Sequence, residues 1–409
     1  MKKEIAIIGA GIGGLYAAYK LKNKHRVTVF EKEDEIGGLL GSFCLSTDKK
    51  TKLEKTYHHI FGSDKEIIAL IDELGLSDKL IWKKENNAIV YGKKVYSFCG
   101  PIDLLKFPLL SMVEKIRLGI VTLYLQKEKN YKKFQKYQAH EWMRRYCGEK
   151  VYKIIWEPLL KNKFADKYRD ISMIWLWARI HFRGNTKLGY LKDGFGQIIE
   201  KLSKNIKIIK KEVNIKDLEK YDLIIDTSPI KSVKYIGAID VVFTSNQYLS
   251  KFYWHNINED GAPFVAFINQ SNMVDDYGKN VYYLGGYYPQ NHRYFKVKDE
   301  VIYKEFFGYL KKIFPEFEEK DIIDKFVFKF KYAQHMNCPP LIRGVPEGGG
   351  VCGIDNAVQQ IPRPPKADTP FDKGEHSKIV HMNFAQIYPQ DRGVNYAIRQ
   401  ARKVVSSFQ

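Results

Sequence analysis

The chain has 409 residues, 44% of them hydrophobic and 28% charged, which is more than one hydrophobic core organises and excludes a disordered polymer. Its 67 basic and 47 acidic side chains leave a net charge of +20 spread along the whole length; with no zinc-ligand spacing, RNA-binding signature or helix-turn-helix pattern, this excess reads as a lysine-rich surface and not as a nucleic-acid site. No run of about 20 apolar residues is present, so a membrane-spanning helix is not expected, and five cysteines without CxxC spacing suit a reducing, cytoplasmic setting.

Residues 4–9 (EIAIIG) form a short apolar run ending in glycine, the pattern of a buried parallel strand. A helix is expected over 13–24, with Leu15, Ala18, Tyr19 and Leu21 as apolar contacts, and a second strand over 26–31 (RVTVFE). Together these make a βαβ unit. The span 64–80 reads as a helix with Asp64 as its N-cap. Residues 88–98 read as a hairpin closed by Gly92-Lys93. A helical region follows over about 102–183, with helix candidates at 109–125 and 171–182. Beyond a glycine turn near 190, the pattern gives a helix at 197–204, strands at 206–210 and 222–226, aromatic strand-like runs over 241–330 that include 281–288 (VYYLGGYY), and a helix at 297–313. Residues 338–376 are rich in Pro and Gly and read as a long loop. Strand, turn and helix return over 379–408.

The opening unit carries its own chemistry. Gly9-Ala10-Gly11-Ile12-Gly13-Gly14 contains GxGxxG between strand and helix. The three glycines permit a tight turn, close backbone approach to a pyrophosphate and close helix–strand packing. The free N–H groups and the positive dipole end of the following helix attract the anion. Glu31 ends the second strand 20 residues after Gly11, where a carboxylate accepts hydrogen bonds from ribose hydroxyls. A second glycine pair, Gly37-Gly38, follows within Glu31-Lys32-Glu33-Asp34-Glu35-Ile36-Gly37-Gly38-Leu39-Leu40-Gly41. This string resembles the extended motif of the glutathione-reductase-fold flavoproteins, and the two motifs together point to FAD.

Further segments extend the likeness. Lys55 to Phe61 (KTYHHIF), Trp156 to Phe164 (WEPLLKNKF), Gly189 to Leu202 and residues 384–396 (FAQIYPQDRGVNY) resemble the amine-oxidase and protoporphyrinogen-oxidase-like FAD superfamily, which also includes UDP-galactopyranose mutase. The Trp156 string is similar to proteins of that group from bacterial cell-surface polysaccharide clusters. Members that oxidise amines usually have Arg after the second glycine pair; this chain has Leu39, which points away from amine oxidation itself.

The resemblance implies an α/β fold: a glutathione-reductase-like Rossmann domain, discontinuous over 1–81, 189–230 and 377–409, with a combined substrate and helical-cap region at 82–188, a mixed-sheet substrate domain at 231–342 and a loop at 343–376. It implies FAD contacts from Gly9, Gly11, Ile12, Gly13 and Gly14 in the first turn, and from Glu31 and Lys32 at the strand end. Gly37, Gly38, Leu39 and Leu40 would pass the cofactor next, followed by His58, His59 and Ile60. Val213 would approach the adenine, while Asp391, Gly393, Val394 and Asn395 would lie beside the pyrophosphate and ribitol. His59 is the catalytic candidate beside the flavin ring, since a neutral imidazole shuttles protons, although a packed structural histidine is the competing reading.

The expected activity is an FAD-dependent oxidoreductase that accepts a hydride from a small organic substrate, with a link to cell-surface glycan or polyprenyl-linked metabolism. A reduced-FAD sugar mutase is the alternative, and a non-enzymatic binder with a decayed site disagrees with the intact glycines and Glu31. An anionic or phosphate-bearing substrate suits the basic chain. Of the tyrosines Tyr282, Tyr283, Tyr287 and Tyr288, strand alternation assigns most to packing, and Trp175 and Trp177 read as buried. In 107–125, Leu109, Met112, Val113, Ile116, Ile120 and Leu123 share one face and a lysine-rich tail follows. This pattern would suit peripheral contact with an anionic membrane, but a core-facing helix is the ordinary outcome.

Overall fold

The computed structural model describes residues 2–46, 52–84, 86–183, 187–275, 277–336, 378–387 and 393–408. The expected loop at 343–376 therefore lies outside the described residues, as does Asp391.

A five-stranded, all-parallel sheet runs in the order Lys207–Lys210, Arg26–Glu31, Glu4–Ile8, Leu223–Asp226 and Ile379–His381. Its strands are short runs of β-branched residues because both faces are covered. Ile5, Ile7, Val29 and Ile225 pack with Leu15, Ala18 and Leu21 of the helix Ile12–Leu21. Ala6, Phe30 and Ile224 turn the other way, onto Leu218 and Tyr221. Three separated stretches of chain build this sheet. Helix Val394–Ser406 closes it by packing against Ile12–Leu21, where Arg402 donates to the Tyr16 hydroxyl and pairs with Glu66.

A seven-stranded mixed sheet stands beside it, in the order Ile322–His335, Tyr235–Ser245, Asn280–Pro289, Ala266–Asn269, Trp254–Ile257, Asn87–Tyr91 and Lys94–Ser97. The hairpin turn falls at Gly92-Lys93, both with positive φ. Helix Asp299–Ile313 covers this sheet with Ile302, Phe306, Phe307 and Leu310. The span 82–188 contributes to both layers. Its hairpin belongs to the mixed sheet, and the helical layer begins at Pro101 and ends with Met173–Arg183. A small third sheet joins Ile60–Phe61, Leu188–Leu191 and Leu80–Lys83.

The expected helix over 64–80 stops early. It spans Lys65–Glu73 and is ended by Gly75 at φ +64°, after which the chain turns into the strand Leu80–Lys83. Asp64 stands at the N-cap position but spends its carboxylate on the amide of Phe61, at 2.9 Å. The first-turn amides of Glu66 and Ile67 are satisfied instead by Asn395 Oδ1, from far along the chain. Tyr282, Tyr283 and Tyr288 are core residues whose hydroxyls donate to the carbonyls of Gln247, Glu54 and Pro263. Trp175 and Trp177 are buried.

Candidate active site

At the opening turn, Gly11 is the extended N-cap of helix Ile12–Leu21, and a side chain built on it would meet nothing within 4 Å. Gly14 behaves oppositely: a Cβ there would overlap the carbonyl oxygen of Gly9. The first glycine therefore keeps a groove open and the second lets helix and strand touch, a division of labour that suits a bound diphosphate. Gly37, at φ +108°, donates to the carbonyl of Ala10 at 2.8 Å, and a Cβ on Gly38 would lie 3.4 Å from the Gly11 Cα. The two glycine motifs thus abut. Gly13 lies beside the Met382 side chain.

Glu31 is buried. Its carboxylate accepts from the amide of Ala10 at 2.7 Å and from that of Glu33 at 3.0 Å, which fixes it at the mouth of the turn with lone pairs left for a sugar. Lys32 is exposed and pairs with Glu33. Val213 lies three residues past the end of strand Lys207–Lys210, not within a strand, and packs near Phe30 and Tyr221. Leu40 is a core residue and Ile12 packs at the core margin.

A cavity of about 440 Å³ opens where the two large sheets and the helical layer meet. From the unit carrying the glycine turns it is lined by Leu39 and by Gly393, Val394 and Asn395 at the start of the last helix. His58, His59 and Ile60 form another wall. The His58 Nδ1 lies 2.8 Å from the carbonyl of Thr56. His59 sits edge-on to Phe61, Tyr253 and Trp254, and its Nδ1 is 3.4 Å from the Tyr253 hydroxyl. Burial pushes the Tyr253 phenol far above its ordinary range, so it keeps its proton.

The mixed sheet supplies Asp240, Gly286 and Tyr287 to the same cavity. Asp240 is buried, and a Cβ on its cross-strand partner Gly285 would strike both its carboxylate and the Tyr57 ring. The helical layer supplies Asn162, Lys163 and Arg179. Lys163 is buried with its ammonium 5.2 Å from the centre of the Trp175 ring, and the Arg179 guanidinium is 5.7 Å from the same ring. Two cations on one indole give this wall a positive character.

The Lys55–Phe61 and Trp156–Phe164 segments and residues 393–396 thus converge on one space, although they lie far apart along the chain. Sequence reasoning missed Tyr57, Tyr253, Asp240, Lys163 and Arg179. Asp240 had a signal, as an acid inside the otherwise apolar-and-small strand YIGAIDVVFTS. Lys163 stands inside the Trp156–Phe164 string, which marks the segment but not the direction of the side chain, and Arg179 had no signal, because neither spacing nor periodicity shows which cations of a basic chain turn inward.

Behind the His58–Ile60 wall, Glu54 is fully enclosed. It accepts from the Tyr190 hydroxyl at 2.6 Å and the Phe195 amide at 2.5 Å, and burial raises its carboxyl to about 7. It ties strand Lys52–Glu54 to the glycine turn after Leu191.

The family model for flavin containing amine oxidoreductase matches residues 12–217. Protoporphyrinogen oxidase 2 of Arabidopsis thaliana is 29% identical over 178 residues, covering 42% of this chain and 34% of the relative. The chain's match thus spans about a third of that relative's length. Among solved structures, a protein of Exiguobacterium provisionally called a protoporphyrinogen oxidase superposes with a TM-score of 0.72 at 16% identity, covering 100% of this chain and 99% of the other. Reduced UDP-galactopyranose mutase gives 0.64 at 16% identity, with 88% and 87% covered. At such identities the structural likeness speaks to the fold alone.

Proposed function

The chain belongs to the flavin-containing amine oxidoreductase family and its cofactor is FAD; from this we propose that it oxidises a small organic substrate bearing an anionic group, by taking a hydride from a C–H bond inside the cavity. The observation that carries the reading is the meeting, in one space, of the start of helix Val394–Ser406, the His58–Ile60 wall and the Lys163–Arg179 wall. The residues present fit the cofactor: Gly11 leaves the groove open, the helix beginning at Ile12 offers its amides, and Glu31 is held ready for a sugar. FAD, when bound, supplies the hydride-accepting chemistry.

The protein's own residues bind, orient and exclude water. Lys163 and Arg179 hold the anionic end of the substrate by charge-assisted hydrogen bonds. Tyr57, Trp254 and Phe61 close an aromatic wall that strengthens those contacts by keeping water out. His59, steadied by Tyr253, exchanges the proton that substrate oxidation releases. We read the three stretches that build the parallel sheet as the cofactor-binding unit, and the helical layer and mixed sheet as the two halves of the substrate enclosure.

Anaerobic titration of the yellow holoprotein tests this. Carboxylate- or phosphate-bearing substrates with an oxidisable C–H bond should bleach the flavin band, and admitting oxygen or an artificial acceptor should restore it. Protein refolded with FAD that stays colourless would refute the reading. Turnover only after dithionite reduction, with no acceptor consumed, would replace it with the sugar-mutase reading, which no observation favours at present.

A further inference from the structure

Helix Met112–Lys127 is apolar on two sides. Leu118, Val121 and Leu125 are buried in the helical layer, whose helix Met173–Arg183 packs beneath. On roughly the opposite side of the helix, Val113, Ile116, Ile120 and Leu123 recur at three- and four-residue spacing and are 76%, 54%, 62% and 57% exposed. This is the face that the sequence pattern would ordinarily turn to the core. The core is already served by the other side.

The short helix Pro101–Lys106 widens the surface. Lys115 Nζ donates to the Leu105 carbonyl at 2.7 Å and Leu104 lies against Gly119, so the two helices are clamped together while Ile102 and Leu105 stay exposed. A contiguous apolar surface of this kind is uncommon on a protein that meets only water.

The charge around it is predominantly positive. Residues 101–136 hold eight basic and three acidic side chains. The acids are committed locally: Asp103 to the Cys99 amide, Glu114 to the capping box at Ser111, and Glu128 to Lys133 and the Asn130 amide. Lys106, Lys127, Lys129, Lys132 and Lys136 are exposed at the ends of the stripe and just beyond it.

We propose that this face docks on the surface of an anionic lipid bilayer. The Val113–Leu123 stripe enters the acyl boundary and the lysines meet lipid phosphates. The contact is peripheral, since no helix among the described residues is long and apolar enough to cross a membrane. A second copy of the chain is the poorer occupant, because a two-fold contact through this face would bring two like-charged lysine borders together. The proposal does not depend on the chemistry of the cavity.

Co-sedimentation of the holoprotein with vesicles tests it. The protein should pellet with phosphatidylcholine vesicles that contain phosphatidylglycerol, and raised salt should weaken that binding. Pure phosphatidylcholine should leave it in the supernatant. The double variant Val113→Glu/Ile120→Glu should bind roughly tenfold or more weakly, with unchanged circular dichroism and flavin content, because both residues lie outside the core. Wild type that ignores phosphatidylglycerol vesicles would overturn the proposal, and so would a variant that binds them equally well. Light scattering that shows a dimer dissolved by the double substitution, without vesicle binding, would assign the face to a second copy and overturn it too.

Discussion

The side-chain oxygen of Asn395, in the last helix, lies 2.8 Å from the backbone nitrogen of Glu66, in the second, and 3.2 Å from that of Ile67. A helix start that its own Asp64 leaves unsatisfied is capped from 329 residues away. Asn395→Ala should therefore cost about 1 kcal/mol of stability, the usual worth of such a cap, and Asn395→Asp should recover most of it. Urea unfolding followed by circular dichroism measures both.

Two glycines of the same motif should respond differently to a side chain. Gly11→Val finds open space and an extended backbone, so the protein should fold as before but purify with little flavin. Gly14→Ala drives a methyl group into the Gly9 carbonyl and should destabilise the fold by about 1–3 kcal/mol. Flavin-to-protein absorbance ratio and melting temperature separate the two effects. Equal yellow colour in Gly11→Val and wild type would contradict the phosphate-groove assignment.

Glu54 and His255 should pull the pH dependence of stability in opposite directions. The folded chain keeps the Glu54 proton up to about 7, while the ordinary carboxyl releases it near 4.5, so this group makes stability fall as pH rises between those values. His255 is fully buried between the Ser250 hydroxyl and the Phe267 carbonyl, and burial lowers it from 6.5 to about 4; it makes stability fall as pH drops through that range. Each shift corresponds to roughly 3 kcal/mol at most. Glu54→Gln, which imitates the protonated acid, should remove the first slope and leave stability rising with pH between 4.5 and 6.5. Denaturant titrations across that interval check the sign.

Inside the cavity, His59→Ala should leave flavin content unchanged and slow flavin reduction by roughly 10²–10⁴-fold if the imidazole moves a proton. Unchanged stopped-flow rates would leave His59 as part of the aromatic packing. Lys163→Met should instead raise KM for an anionic substrate about tenfold or more, with a smaller effect on kcat, because its ammonium holds the substrate and does not react.

What the sequence made legible was local. The glycine turn, the strand–helix–strand unit and the Gly92-Lys93 hairpin depend on neighbours within a few residues, and they stand where the pattern places them. The hidden features depend on distant partners. Nothing near Asp64 shows that Asn395 will cap its helix, and nothing near Lys163 shows that Trp175 and the cavity will receive its charge. The Met112–Lys127 helix misleads for a related reason. Its conspicuous stripe is apolar, but the quieter Leu118, Val121 and Leu125 match the helices beneath and occupy the core first.

The parallel sheet has one more consequence. Glu4–Ile8 is its central strand, flanked by Arg26–Glu31, which follows almost at once, and by Leu223–Asp226, which is translated some 200 residues later. A nascent chain emerging from the ribosome therefore carries Glu4–Ile8 with one hydrogen-bonding edge bare until Leu223–Asp226 has been made, and Leu223–Asp226 then waits for Ile379–His381. Such long-range closure makes folding slow and leaves sticky edges for chaperones to shield, so productive expression of this protein should be sensitive to translation speed and chaperone supply.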